Sequence, residues 1–102
     1  MSDNIRDDFV QRLRLIDYDD IFIICCLSKR MTITQMTKIF LRDMSSLAKR
    51  VRRVRRIFGD DYFTRSDKRA TILTDKGMEL GAACCRFMSE IVAAESFEDK
   101  QP

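Results

Sequence analysis

Six cations and no anion occupy the stretch from Lys49 to Arg56: Lys49, Arg50, Arg52, Arg53, Arg55 and Arg56. Between Arg42 and Arg69, ten basic residues stand against four acidic ones, a local balance of +6 inside a chain whose net charge is +3. A basic centre between acidic ends is the electrostatic footprint of a polyanion-binding surface. Like charges three or four positions apart on a helix repel by about 0.2–0.5 kcal/mol a pair. A phosphate backbone offsets that repulsion, whereas a merely solvated face usually mixes its signs. The competing reading is that some of these arginines pair with Asp60, Asp61 or the acidic N-terminus.

Other chemistries have little to work with. The chain has no histidine, which removes the commonest general base, the usual imidazole metal ligand and every Ser-His or Cys-His nucleophile. Asp, Glu, Lys and Cys remain, but no carboxylate pair is clustered, so no catalytic residue, no metal site and no cofactor is expected, and the chain is not read as an enzyme. Its four cysteines form two vicinal pairs, Cys25-Cys26 and Cys84-Cys85. Adjacent cysteines do not match the C-x-x-C spacing of zinc ribbons, and a structural disulfide is not expected in a cytosolic protein. Cys25 and Cys84 fall on apolar faces, so core packing is the expectation, with a thiol or soft-metal sensor as the alternative.

The elements that must position the basic centre can be read from spacing and caps. The 102 residues are 45% hydrophobic and 34% charged, which suits one compact domain rather than a disordered tail. The longest apolar run, Ile21 to Leu27, is far short of the ~20 residues that cross a bilayer. The first eight residues carry no apolar core for a secretory signal. A cytoplasmic location away from membranes is therefore expected.

Phe9, Leu13 and Ile16 suggest a short N-terminal helix within an extension spanning 1–16. Asp17, or Asp19 and Asp20, can cap a second helix through Ile21, Phe22, Ile24, Cys25 and Leu27. That segment is apolar nearly all round, so it reads as the buried central helix, although composition alone also allows a strand. Thr32 or Thr34 caps a third helix with Met36, Ile39 and Phe40 inward. Asp43 caps a fourth that runs to Phe58 and stops at Gly59, burying Leu47, Val51, Val54 and Phe58 with Ile57 beside them. Tyr62 to Arg65 and Thr71 to Leu73 read as a β-hairpin around Ser66-Asp67-Lys68-Arg69. Thr74-Asp75-Lys76-Gly77 opens a last helix, 75–95, with Leu80, Cys84, Phe87, Met88, Ile91 and Val92 on one face; 96–102 reads as a frayed tail. Three helices, a hairpin and another helix give a mainly α fold with a small β-hairpin wing: a winged helix-turn-helix core over 17–74 plus a C-terminal dimerisation helix.

The stretch from Thr32 to Gly77 resembles the N-terminal DNA-binding domain of LysR-type transcriptional regulators. Thr32-Ile33-Thr34 is similar to the family's Ser-Phe-Thr at the start of the first helix of the motif. Ser45-Ser46-Leu47 followed by Lys49-Arg50-Val51-Arg52-Arg53-Val54 resembles its recognition helix. Phe58-Gly59 with Tyr62-Phe63-Thr64-Arg65 parallels its Leu-Gly-x-x-Leu-Phe-x-Arg, and Leu73-Thr74-Asp75-Lys76-Gly77 its Leu-Thr-x-x-Gly. The chain departs from the family at Met36-Thr37, where a small Ala-Ala pair stands. It departs again at Met44, in place of a base-reading Gln, at Ala48, in place of a Ser, and at Arg55, in place of a Glu. The effector-binding domain that follows in the family is expected to be absent.

The resemblance implies a recognition helix, 43–58, in the major groove of duplex DNA, with the wing, 62–73, on flanking backbone or minor groove. Ser45, Ser46 and Lys49 then reach base edges, joined by Arg52 and Arg53 if the helix lies deep. Arg50, Arg55, Arg56, Arg65, Lys68 and Arg69 meet phosphates, which position the protein without specifying sequence. In the family the last helix pairs two subunits, so a homodimer through Leu80, Cys84, Phe87, Met88 and Ile91 is expected to act as a transcriptional regulator. The alternative is a winged-helix interaction module that binds a protein partner instead of DNA.

Overall fold

In the computed structural model, residues 2–68 and 70–99 are described, with side chains for 7–68 and 70–95. The elements are α1 (Ser2–Leu13), α2 (Tyr18–Ser28), α3 (Ile33–Phe40), α4 (Met44–Phe58), β1 (Phe63–Arg65), β2 (Thr71–Leu73) and α5 (Asp75–Asp99). Among the described residues this is a mainly helical chain carrying one two-stranded antiparallel hairpin. Arg69 and 100–102 of the expected tail lie outside the described residues. Helix α5 runs through Asp99, so 96–99, expected to fray, continue it.

Helix α2 is the centre of the core. Ile23, Ile24, Cys25, Cys26 and Leu27 are five consecutive residues no more than 7% exposed, which a helix achieves only when neighbours cover it on every side. Composition alone left a strand open, and the local chemistry at the start of α2 closes that option. The Asp17 carboxylate accepts from the Asp20 amide at 2.9 Å, and the Asp20 carboxylate accepts from the Asp17 amide at 3.1 Å. This reciprocal box satisfies two amides that a helix start leaves without partners.

Helices α3 and α4 are capped in the same way. Thr32 and Gln35 form a second box, and the Asp43 carboxylate accepts from the Ser46 amide at 2.7 Å. Between them Leu41 adopts φ 55, ψ 39, the left-handed conformation that ends α3, and leaves its side chain 88% exposed. Only Met36 of α3 is fully buried, with Ile33 and Phe40 packed beside it. Ile39, expected inward, is 45% exposed: it stands about 100° around the helix from Phe40, off the stripe that Ile33, Met36 and Phe40 define. Helix α1 docks through Phe9, whose ring lies 6.0 Å from Phe58 and 5.9 Å from Tyr62. Arg12 Nη1 donates to the Phe58 carbonyl at 3.1 Å, satisfying one of the acceptors left over at the C-terminus of α4.

The hairpin pairs Phe63 with Leu73, Thr64 with Ile72 and Arg65 with Thr71. Alternation sends Phe63 and Leu73 into the core while Ile72 stays exposed. Thr74 then starts α5, its Oγ1 accepting from the Gly77 amide at 3.1 Å and donating to the Asp61 carbonyl at 2.5 Å.

Two glycines let α5 approach the body at backbone distance. A Cβ on Gly77 would fall 2.0 Å from the Tyr62 carbonyl oxygen, and one on Gly81 would fall 2.4 Å from Ser28 Cβ. One turn later Cys85 is disulfide-bonded to Cys25 of α2, with Cα atoms 5.1 Å apart. This corrects the expectation of four unbridged thiols. Cys26 and Cys84 are the free, buried pair. Beyond Cys85, among the described residues, only Met88 still packs on the core, and α5 leaves the body. The radius of gyration, 15.0 Å, exceeds the roughly 13 Å expected of a compact chain of this length, as a projecting helix requires.

Candidate nucleic-acid interface

Helix α4 presents different chemistry on each side because successive residues turn by about 100°. Leu47, Val51, Val54 and Phe58 face inward and are buried. Directly opposite, Ser45, Lys49, Arg52 and Arg56 form an exposed ridge at spacings of four, three and four. None of these three cations forms an ion pair among the described residues, nor do Arg55, Arg65 or Lys68.

The flank of α4 that turns toward the hairpin extends this ridge. Arg52, Arg55 and Arg56 of α4, together with Arg65 of β1, line a cleft of about 380 Å³ that also touches Gly59 and Asp60. Arg52 and Arg65 also edge a larger groove of about 790 Å³ between α4, the hairpin and the start of α3. Its floor is apolar, with Val51, Leu73 and Met78, and its rim carries Arg30, Thr32, Thr34 and Ser66. The start of α3 therefore opens onto the same groove as the arginines, and a helix N-terminus favours anions.

The other flank carries a different set of contacts. Arg50 Nη1 reaches the Asp17 carboxylate at 3.0 and 3.1 Å and the Asp20 carboxylate at 3.1 Å. Arg53 Nη1 donates to the Asp20 carboxylate at 2.5 Å, and its Nη2 donates to the Leu15 carbonyl. Asp20 is wholly buried, and these two guanidiniums with the Asp17 amide account for its oxygens. Arg53 was expected to read bases and Arg50 to meet phosphate; both are instead turned to the α1–α2 corner. Asp19 draws Arg42 the same way, at 3.1 Å. The acids that pair with the basic segment are therefore Asp17, Asp19 and Asp20, whereas the sequence suggested Asp60, Asp61 or the N-terminal acids.

Protonation follows this geometry. Burial opposes ionisation of Asp17, but the Asp20 amide and the Arg50 guanidinium outweigh it and hold the carboxyl below its ordinary value. The hydrogen bond that Arg50 donates to the Asp17 carboxylate raises Arg50 above its ordinary value in turn. The Ser46 amide lowers Asp43, the cap of α4.

The remaining expected site residues divide by position. Ser45 and Lys49 stand on the ridge and Lys68 on the hairpin turn, all exposed, while Ser46 is half-buried beside its cap. On α5, Cys84, expected between two copies of the chain, is 8% exposed and belongs to the core. Leu80 and Met88 also pack against that core, whereas Phe87, Ile91 and Val92 are 48%, 43% and 56% exposed. Arg30, Thr32 and Thr34 were missed as groove residues. Thr32 and Thr34 were read only as caps, and nothing in the sequence tied the lone Arg30, held at φ 62, to a segment 20 residues away.

No group of three or more metal-ligating side chains occurs among the described residues. No described helix is long and apolar enough to cross a membrane. No protein-family model, curated protein or solved structure matches the chain.

Proposed function

We propose that this protein is a duplex-DNA-binding transcriptional regulator of winged helix-turn-helix type, similar to the reading head of LysR-type regulators, which acts as a homodimer. The observation that carries this reading is the unpaired ridge Ser45, Lys49, Arg52 and Arg56, continuous with Arg55 and Arg65 across the cleft. From Ser45 to Arg56 the ridge is about 16 Å long at 1.5 Å per residue, and a helix of this kind fits a major groove about 12 Å wide. In this reading α4 is the recognition helix and the hairpin is the wing. Ser45 and Lys49, near the N-terminus of α4, together with Arg52, face base edges. Arg55, Arg56, Arg65 and Lys68 neutralise phosphates, and the α3 start with Thr32, Thr34 and Arg30 receives another. Arg50 and Arg53 set the roll of α4 against the body and are outside the contact set.

The exposed Phe87, Ile91 and Val92 on the projecting half of α5 supply the apolar seam for a second copy. A two-fold dimer of this kind suits an inverted-repeat site. Leu80, Met88 and Cys84 support that seam from beneath.

Selection from random-sequence duplex, with affinities of enriched and scrambled pools titrated against salt, tests the reading. Neutralising about four to five phosphates per subunit gives a dimer slope of log K on log salt near −7 to −9. An enriched inverted repeat with that slope is expected. A slope near zero with any duplex would overturn the reading and favour a protein-interaction module, for which exposed Ile39, Leu41 and Met44 at the α3–α4 turn are the supporting observation.

A further inference from the structure

The four cysteines are gathered where α5 leaves the body, and the two pairs differ in setting. Cys26 and Cys84 are buried thiols. Cys25 is 4% exposed and is bonded to Cys85, which is half-buried and can be reached from solvent. The surroundings of Cys85 also suit its reduced form. Ser28 Oγ lies 3.6 Å from its sulfur and the Cys25 carbonyl 3.8 Å away, so a Cys85 thiol has two oxygen acceptors in reach. Ser28 itself is held by donating to that carbonyl at 2.6 Å.

The bridge also stands at a mechanical boundary. One turn before Cys85, Gly81 brings α5 directly against Ser28 of α2. Past Cys85, Phe87, Ile91 and Val92 are exposed. We propose that Cys25 and Cys85 are a reversible thiol–disulfide pair that pins the root of the projecting half of α5 to α2 when oxidised and frees it when reduced. The inference concerns the chain itself and does not depend on DNA binding.

The exchange balances with a low-molecular-weight disulfide as oxidant. The Cys85 thiol loses its proton and attacks one sulfur of the reagent, forming a mixed disulfide and expelling one thiolate. Cys25 sulfur, having lost its proton, then attacks Cys85 sulfur and expels the second thiolate. Two electrons and two protons pass to the reagent, which becomes two thiols; excess thiol reverses both steps. Cys26 and Cys84 stay out of the first step because neither reaches solvent as Cys85 does and burial raises both thiols above their ordinary value, Cys84 to about 11; the second step falls to Cys25 because it is the cysteine in bonding position with Cys85.

The test uses the full chain, fully reduced and then equilibrated across ratios of glutathione disulfide to glutathione. Remaining thiols are alkylated and mapped by peptide mass, and amide hydrogen exchange is followed at both extremes with the oligomeric state checked by light scattering. One transition is expected, with loss of two of the four thiols, mapped to Cys25 and Cys85. Exchange across 86–95 should quicken by about tenfold or more on reduction, while 77–83 changes little. Cys84→Ala should keep the two-thiol transition and Cys85→Ser should abolish it. A Cys26–Cys84 or intermolecular bridge, four thiols persisting at the oxidising extreme, or equal exchange across 86–95 in both states would each overturn the proposal.

Discussion

Arg50 and Arg53 stand on the same helix as Lys49, Arg52 and Arg56, with the same charge and nearly the same spacing, yet the two sets do opposite work. The first pair closes on a wholly buried carboxylate, Asp20, and ties α4 to the start of α2. The second set has no acidic partner among the described residues and faces open solvent. Nothing in the side chains makes this difference; the roll of the helix does. At about 100° per residue, one step from Arg52 to Arg53 carries a guanidinium from the ridge to the α1–α2 corner. A run of like charge is therefore not one surface but several, and only the part that tertiary structure leaves unpaired is available to a polyanion.

The comparison breaks most visibly if its stabilising side is removed. Arg50→Ala together with Arg53→Ala leaves the Asp20 carboxylate buried without a cationic partner. Removing the partners of a buried charge costs about 3–5 kcal/mol. Urea unfolding should show that loss with little change in slope. A shift below about 1 kcal/mol would mean that the two guanidiniums do not hold α4 to the start of α2.

The opposite substitution should invert the result. Arg52→Ala with Arg56→Ala removes two unpaired surface cations, so stability should stay within about 0.5 kcal/mol. In the DNA reading the dimer then loses the Arg56 phosphate contact and the Arg52 base contact in each subunit, and the slope of log K on log salt should become shallower by about 2, from Arg56 alone. Arg52 is the stricter probe. If it reads a base, its loss weakens particular sequences; if it meets phosphate, the loss is uniform across scrambled sites. Should the ridge variant unfold or the clamp variant lose DNA while staying folded, the two flanks would have been assigned the wrong way round.

Much of this arrangement was open to the sequence. The buried stripe of α4, its Asp43 cap and its stop at Gly59 are local features, and the hairpin follows from two short β-rich pieces around a polar turn. The buried stretch of α2, Ile23 to Leu27, follows from its apolar run. What escaped was contact at long range. Asp17 and Asp20 meet Arg50 and Arg53 across 30 to 33 positions, and no periodicity within a segment encodes such a meeting. Vicinal cysteines were illegible for a related reason. Both members of the first pair are buried on α2, and one residue of helical roll decides whether Cys84 or Cys85 meets them across a separation of 60.

A smaller effect separates the two functional readings at the turn that sets the direction of α4. Leu41 holds a left-handed backbone with an almost fully exposed side chain. Leu41→Gly relieves a conformation that costs an L-residue about 1–2 kcal/mol and loses little buried area, but it adds unfolded-chain entropy. The net should be a gain of up to about 1 kcal/mol in thermal or urea unfolding. DNA affinity should not change, because the ridge and its roll are untouched. If Leu41, with Ile39 and Met44, is instead a contact for a protein partner, the same variant gains stability and loses that partner.

The weakest expected effect probes the clamp without removing any guanidinium. Asp17 has its folded pKa lowered below its ordinary value of 3.8, so its stabilising contribution is fully present above that value. It is lost as pH falls through the lower folded value, when the carboxyl takes up a proton and releases Arg50. Asp17 is 56% exposed and Arg50 27%, so solvent screens the pair and limits it to about 1 kcal/mol or less. Asp17→Asn keeps a side chain that caps a helix equally well but removes the charge. Wild type should therefore exceed this variant slightly near neutral pH, and the gap should close as the pH falls below 3.8 and Asp17 itself takes up a proton. Asp43, also lowered, shares the acid window, but it titrates equally in both proteins and cancels from the difference. A gap that stays constant through acid would trace the loss to the cap instead of the ion pair. The paired flank of α4 would then rest on Asp20 alone.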